Sequence, residues 1–192
     1  HPKMHIDANE MEAAVEAENL FLRVIGKKQE DKYRRATSAD IKEWGIAMFG
    51  PKLILPCDGD RCGATGATEE VLAGKKAVLV CFAEKWCPFS ATCVRALAEL
   101  EKENTDDLAV VYVATDMEEG AFHKYHSKSL SQFYAMPWEL KAERKKLHSK
   151  FENGVAPDDR GSPNIYFIDP NTGDLGITYG GIRTARREVE GC

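Results

Sequence analysis

The run AVLVCF (residues 77–82) constrains the fold of this chain more than any other feature. Its apolar residues do not alternate with polar ones, which is typical of a strand that is buried on both faces. The segment SATCVRALAELEK (90–102) then repeats its apolar residues at helical spacing, and LAVVYVAT (108–115) is a second β-rich run. We therefore predict a βαβ unit, in which two parallel neighbouring strands are joined by a helix through a right-handed crossover.

The rest of the main domain continues this mixture of helix and strand. Apolar residues recur at helical spacing in the basic segment 139–151, whose lysines are interpreted as a solvated face. The segment 164–179 holds two β-rich runs around a turn at 169–173 and predicts a hairpin. Helices are also predicted at 119–134 and 183–190. The fold class is therefore α/β, with a central mixed β-sheet flanked by helices.

The first fifty residues predict a separate helical extension. Residues 9–25 form an amphipathic pattern, and Thr37 and Asp40 have the spacing of a capping box that begins a second helix. Gly50 and Pro51 end that helix. We assign residues 1–50 to an N-terminal helical extension and residues 51–192 to the main domain.

Composition excludes several classes of function. The net charge of −5 and the 43% of hydrophobic residues describe a globular protein without a basic nucleic-acid surface. No stretch approaches the roughly 20 apolar residues of a membrane helix, and the acidic start is unlike a signal or transit peptide. We expect a cytoplasmic protein with no membrane or nucleic-acid partner and no cofactor. Oligomeric state has no signal in the sequence.

The six cysteines lack the regular spacing of a disulfide-stapled module, so most are expected to be reduced thiols. Cys81 lies within the buried run and is expected to be a packing residue. Cys57 and Cys62 bracket an Asp-Gly turn and allow three interpretations: a local disulfide, half of a metal site, or two unrelated thiols. Unrelated thiols are preferred, and a metal site is the weakest because no second Cys/His pair follows at a matching distance.

Cys87 is the candidate nucleophile. It follows the buried strand and opens the next helix, where unpaired backbone N–H groups and the helix dipole favour a thiolate. Pro88 suits an early helical position, because the N–H that proline lacks would have no partner there. Ser90 stands where a dithiol motif places its second cysteine.

These residues resemble the thioredoxin superfamily, and the nearest likeness is to tryparedoxin and nucleoredoxin. The resemblance rests on FAEKWCPFS (82–90), DMEEGAFHKY (116–125), MPW (136–138) and PNIYFIDPNTGDL (163–175), and it covers about residues 51–185. It implies a thioredoxin fold and thiol–disulfide exchange, with a disulfide-containing protein or a low-molecular-weight thiol of the glutathione or trypanothione type as partner.

The resemblance also assigns the site residues. Cys87 and Ser90 are the expected catalytic pair, with Ser90 replacing the resolving cysteine, and Ser162-Pro163 match the cis-proline loop. The expected substrate-binding residues are Trp86, Pro88, Phe89, Ser162 and Pro163. The chain departs from the family at Cys81, where thioredoxin has a buried acid, and at Phe89, where tryparedoxin has a second proline.

Cys93 does not replace the missing partner. Six residues along a helix separate its Cα from that of Cys87 by roughly 9 Å, whereas a disulfide needs less than about 7 Å.

Four functions compete. The first is a monothiol oxidoreductase acting through Cys87. The alternative from another class is a redox-inactive binding module that uses the groove around Trp86 and Pro163. The C-x-x-S form of CPFS suggests a glutaredoxin-like carrier of an iron–sulfur cluster. Trp86 and the tryparedoxin-like sequence of the rest of the domain argue against this function. A peroxidatic cysteine is weaker, because no proline and threonine precede Cys87 at the peroxiredoxin spacing.

Overall fold

The described part of the chain forms a seven-stranded mixed sheet with helices packed against it. The computed structural model describes residues 34–83, 88–114, 118–152 and 164–180, with backbone alone for 88–93, 96 and 176–180. The helices predicted at 9–25 and 183–190 lie outside these residues.

The strands follow the order β2-β1-β5-β4-β3-β6-β7 across the sheet. They are β1 (Lys52–Ile54), β2 (Thr65–Ala67), β3 (Ala77–Ala83), β4 (Leu108–Ala114), β5 (Tyr134–Ala135), β6 (Asn164–Ile168) and β7 (Leu175–Gly180).

The predicted βαβ unit forms the centre of the sheet. Strands β3 and β4 are parallel and paired from Ala77↔Leu108 to Ala83↔Ala114, and every residue of both strands is buried. Strand β6 lies antiparallel on the other side of β3, and β7 completes the hairpin antiparallel to β6. The prediction of a mixed sheet with this βαβ unit and hairpin is confirmed.

Five helices lie in the described part of the chain. They are α1 (Ser38–Phe49), α2 (Thr68–Val71), α3 (Pro88–Glu103), α4 (Glu119–Ser129) and α5 (Lys141–Glu152). The prediction of one helix over 119–134 is wrong at its end, because α4 ends at Ser129. Residues 134–135 instead pair with β4, where strand pairing overrides the local helical pattern.

Two core clusters fill the two faces of the sheet. Successive residues of a strand point to opposite faces, so Leu79 and Cys81 belong to one cluster while Val78, Val80 and Phe82 belong to the other. This explains why AVLVCF carries no polar alternation, since both of its faces are covered.

The capping box predicted at Thr37 begins helix α1. The Asp40 N–H donates to Thr37 Oγ1 at 3.3 Å, and the Thr37 N–H donates to Asp40 Oδ2 at 2.7 Å. Arg34 pairs with Asp40 at 2.7 Å and, through its hydrogen bond, holds the pKa of that carboxyl well below its usual range. Ile41 and Phe49 of this helix are fully buried in the second cluster. The domain boundary near residue 50 stays a prediction.

Trp44 joins helix α1 to the turn of the β6–β7 hairpin. Its Nε1 donates to the Pro170 carbonyl oxygen at 3.2 Å. Gly173 in the same turn has φ +76°, and a Cβ there would lie 2.5 Å from Trp44 Cγ. Glycine is required at this position both for its backbone conformation and for the approach of the indole.

We predict that Thr37→Ala destabilises the protein by about 1 kcal/mol, because the first turn of α1 loses its side-chain cap. The measurement is the free energy of unfolding in urea, with Ser38→Ala, one residue further into the helix, as the matched control. Equal stabilities for the two variants would contradict a stabilising role for the cap.

Candidate active site

Three strands bring the predicted site segments to the same end of the sheet, here called the upper end, where β3 and β4 finish. The last residues of these strands, Ala83 and Ala114, are register partners. Strand β6 runs the other way and begins at Asn164, one residue away from Pro163, with Asn164 paired to Phe82. The segments that carry Cys87 and Pro163 therefore join the sheet at neighbouring strand ends.

Helix α3 begins at Pro88, directly after Cys87 in the chain. Ser90 lies in its first turn and Cys93 in its second, while Trp86, Cys87, Ser162 and Pro163 lie outside the described residues. Pro88, Phe89 and Ser90 are described by helical backbone alone. The predicted contact of a cis-proline loop with the Cys87 thiol stays a prediction.

The MPW segment also leaves the sheet at the upper end. Met136 follows β5, is fully buried, and donates its N–H to the Tyr112 carbonyl oxygen at 3.0 Å. Trp138 packs against the first core cluster, with its ring 5.6 Å from that of Phe122. The guanidinium of Arg144 lies 4.3 Å from the centre of the Trp138 ring, a cation–π contact.

Arg144 is a buried cation that the sequence interpretation missed. It is only 3% exposed, its Nε and Nη1 have no hydrogen-bond partner among the described residues, and burial lowers its pKa. The solvated-face prediction for this helix holds for Lys145 and Lys146, which are exposed. The position of Arg144 in the sequence could have indicated its burial, because it falls on the same helical stripe as the apolar residues Leu140 and Leu147.

Asn164 is a second buried polar residue at the upper end. It is 4% exposed, and its Oδ1 has no hydrogen-bond partner in the described part of the chain. It begins β6 beside the end of β3, so it lies at the junction of the two predicted site segments.

Cys81 packs in the first core cluster, as predicted. It is fully buried, and burial raises the pKa of its thiol to about 12. A thiol with this pKa carries almost no thiolate at neutral pH, which agrees with a packing role for Cys81.

The preferred interpretation of Cys57 and Cys62 as unrelated thiols is wrong, because they form a disulfide. Asp58 and Arg61 exchange both of their backbone hydrogen bonds at 3.0 Å, which closes a tight turn. The cysteines that flank this pair face each other with their Cα atoms 4.5 Å apart, the spacing of a non-hydrogen-bonded antiparallel pair. The symmetric placement of two cysteines around the Asp-Gly turn was the signal for this pairing.

The described ranges contain neither a metal-binding cluster nor a membrane-spanning helix. No group of three or more His, Cys, Asp or Glu side chains there is arranged to hold a metal ion. None of the helices described has the length and apolar character needed to cross a membrane.

The family of the chain follows from its sequence profile. The profile of the thioredoxin-like family matches residues 74–169, half of the 192-residue chain. The chain therefore belongs to the thioredoxin-like family. No curated protein sequence matches it.

Comparison with solved structures shows which proteins of this fold the chain is similar to. The chain is similar to a mutant tryparedoxin-I, with 26% identity, a TM-score of 0.55, and coverage of 73% of this chain and 88% of that one. It is also similar to thioredoxin from Wuchereria bancrofti, with 27% identity, a TM-score of 0.55, and coverage of 73% and 86%. A structure of tryparedoxin II complexed with glutathionylspermidine shares the fold at 22% identity and a TM-score of 0.56, with coverage of 76% and 92%. The fold and these neighbours support a family of thiol–disulfide oxidoreductases.

We predict that Cys81 does not react with iodoacetamide in the native protein at pH 8, because its thiol is buried and has a pKa of about 12. Peptide mapping should find it modified only after denaturation. Native labelling of Cys81 at the rate of a free thiol would contradict its burial.

Proposed function

We propose that this protein is a thiol–disulfide oxidoreductase of the tryparedoxin type that acts as a monothiol through Cys87. The observation that supports this most strongly is the start of α3 at Pro88, directly after Cys87 and close to the end of the fully buried strand β3. The first N–H groups of a helix have no partner within it, and its dipole is positive at that end. Both effects favour a thiolate at residue 87, with a pKa below the free value of about 8.5.

The buried strand also supports a nucleophile in a fixed position. Strand β3 is held by β4 on one side and by β6 on the other, and all seven of its residues are buried. Cys87 lies four positions beyond this strand in the sequence and immediately before the long helix α3. A reactive group that is positioned in advance loses little entropy when it meets its substrate.

The serine at position 90 determines how the product is released from Cys87. Its hydroxyl can donate a hydrogen bond to the Cys87 thiolate, but it cannot form a sulfur–sulfur bond. Cys93 lies in the continuous helix Pro88–Glu103, six residues from Cys87. The resulting Cα separation of roughly 9 Å exceeds the limit of about 7 Å for a disulfide. We therefore assign release of the product to a thiol from solution.

Each turn of the proposed cycle consumes one external thiol, which releases the captured product from Cys87. The Cys87 thiolate attacks one sulfur of a substrate disulfide, the other sulfur leaves as a thiolate and takes up a proton, and a mixed disulfide forms at Cys87. An external thiolate then attacks the captured sulfur, and the Cys87 thiolate leaves. The substrate disulfide is exchanged, and Cys87 returns to its starting state.

We propose that the partner is a disulfide-containing protein or a low-molecular-weight thiol of the glutathione or trypanothione type. Support comes from the tryparedoxin resemblance and from tryparedoxin II, which is complexed with glutathionylspermidine in its structure. Trp86, Pro88, Phe89, Ser162 and Pro163 would form the binding groove. The pairing of Phe82 with Asn164 supports this grouping, because it brings the ends of both segments side by side.

We predict that Ser90→Cys raises the rate of insulin reduction by about tenfold or more, since a second thiol in the same helical turn has a very high effective concentration. The unaltered protein should instead accumulate a mixed disulfide at Cys87 with glutathione, detectable by intact mass. Insulin reduction with a dithiol-regenerating system and intact mass are measured on the same preparations, with Ser90→Ala as the matched control.

Two outcomes would contradict the proposal in different ways. Rapid insulin reduction by the unaltered protein that is lost in Cys93→Ala would show that Cys93 reaches Cys87. An absence of both the adduct and turnover in Ser90→Cys would favour the redox-inactive binding module.

A further inference from the structure

The Cys57–Cys62 disulfide lies at the lower end of the sheet, opposite the end at which β3 and β4 finish. Strand β1 runs antiparallel to β5, which is parallel to β4, so the chain leaves β1 at the end where β4 begins. The Cys57 N–H donates to the Ser131 carbonyl oxygen at 2.6 Å, which fixes the disulfide loop to the segment that precedes β5. The disulfide therefore lies away from the sheet end at which the segments of the proposed active site join β3 and β6.

A cavity of about 360 Å³ opens beside this disulfide. Cys62 lines it together with His123, Lys124, His126 and Ser127 from helix α4. A volume of this size lies within the range of about 300–1,000 Å³ for small-molecule sites. Ile54 and Gly63 complete the lining, so the cavity combines one disulfide residue and ionisable or hydroxyl-bearing residues of α4 with apolar surface.

Access to the two sulfur-bearing residues is unequal. Cys62 is exposed and Cys57 is half-buried. Exposed disulfides are the labile, regulatory or catalytic ones in proteins, whereas structural disulfides resist reduction by glutathione. Cys62 is therefore the more accessible of the two residues for an incoming thiol.

The turn that carries the disulfide does not depend on it. The backbone pair Asp58–Arg61 is closed by two hydrogen bonds at 3.0 Å, and the side chains of the same two residues form an ion pair. Gly59 has φ +58°, which a tight turn favours. A loop this short also gains the least stabilisation from a disulfide. Reduction should therefore leave the two thiols facing each other, ready to close again.

We propose that Cys57–Cys62 is a second redox centre that exchanges with an anionic low-molecular-weight thiol of the glutathione class bound in the cavity at the lower end of the sheet. Lys124 supplies the positive charge that attracts a carboxylate. His126 is held in place by its Nε2, which donates to the Phe133 carbonyl oxygen at 3.0 Å, and burial lowers its pKa.

Two molecules of the thiol reduce the Cys57–Cys62 disulfide in two successive exchange steps. A thiolate attacks Cys62 Sγ, the sulfur–sulfur bond to Cys57 breaks, and Cys57 leaves as a thiolate that takes up a proton. A second molecule of the same thiol attacks the captured sulfur and releases Cys62 as a thiolate, which is protonated in turn. Two thiols are oxidised to one disulfide, and the protein disulfide is reduced to two thiols.

The first experiment titrates the full chain carrying Cys87→Ala in buffers of varied reduced and oxidised glutathione, so that a failure of the proposed function at Cys87 does not affect the result. Differential alkylation with peptide mapping reports the reduced fraction of Cys57 and Cys62. We expect both cysteines to pass from mainly oxidised to mainly reduced across this series. A pair that stays oxidised until dithiothreitol is added would be a structural disulfide and would overturn the proposal.

The second experiment traps the adduct with oxidised glutathione in the same Cys87→Ala background. Cys57→Ser should form a glutathione mixed disulfide at Cys62 about tenfold faster than Cys62→Ser forms one at the half-buried Cys57. Equal rates would overturn the assignment of Cys62 as the entry point. Circular dichroism of both variants checks that they are folded, and the glutathione titration remains decisive if either is not.

The third experiment tests the cavity. Lys124→Gln should slow reduction of the disulfide by glutathione about threefold at low salt and leave reduction by the neutral thiol 2-mercaptoethanol unchanged. Lys128→Gln is the matched control, because Lys128 is exposed on the same helix but is not among the residues that line the cavity. The same loss for both variants, or for both reagents, would contradict binding of an anionic ligand beside Lys124.

Discussion

The parallel pairing of β3 with β4 is the interaction on which the rest of the structure depends. All fourteen residues of the two strands are buried, because core clusters cover both faces of the sheet. A parallel pair of this kind requires a crossover connection and helices on its faces. The pair therefore fixes the position of α3, which begins at Pro88, the residue after Cys87 in the sequence.

The same pair divides the molecule into two ends with different chemistry. At the upper end, β3 and β4 finish, β6 begins, and the buried Arg144 lies over Trp138. At the lower end, a short disulfide loop lies beside a cavity lined by α4. The proposed catalysis and the proposed redox exchange with a small thiol are thus assigned to opposite ends of one sheet.

The long apolar runs were predictable from the sequence because their patterns are determined by burial on both faces. AVLVCF and LAVVYVAT predicted the central strands, and 164–179 predicted the hairpin around Gly173. Strands β1, β2 and β5 have only two or three residues each, too few for any periodicity, and they form through pairing with neighbours. Short strands of this kind depend on tertiary contacts that a local pattern does not record.

The site was predictable in part for the same reason. The position of Cys87 before a helix follows from a local pattern, whereas the burial of Arg144 and the pairing of Cys57 with Cys62 depend on how separate segments meet. Cysteine spacing alone leaves pairing open, and a basic helix does not reveal which of its cations faces the core. For both features the informative signal was the position of the residues in the sequence. Arg144 falls on an apolar helical stripe, and the two cysteines flank the turn symmetrically.

The most direct test of the central claim is the rate of alkylation of each free cysteine at pH 6, measured by peptide mapping of the native full-length protein. A thiol with the free pKa of about 8.5 is almost entirely protonated at this pH, whereas a thiol at a helix N-terminus retains thiolate. We expect Cys87 to be modified first, well before Cys93 and Cys192. Faster modification of Cys93 or Cys192 would contradict the assignment of Cys87 as the reactive thiol.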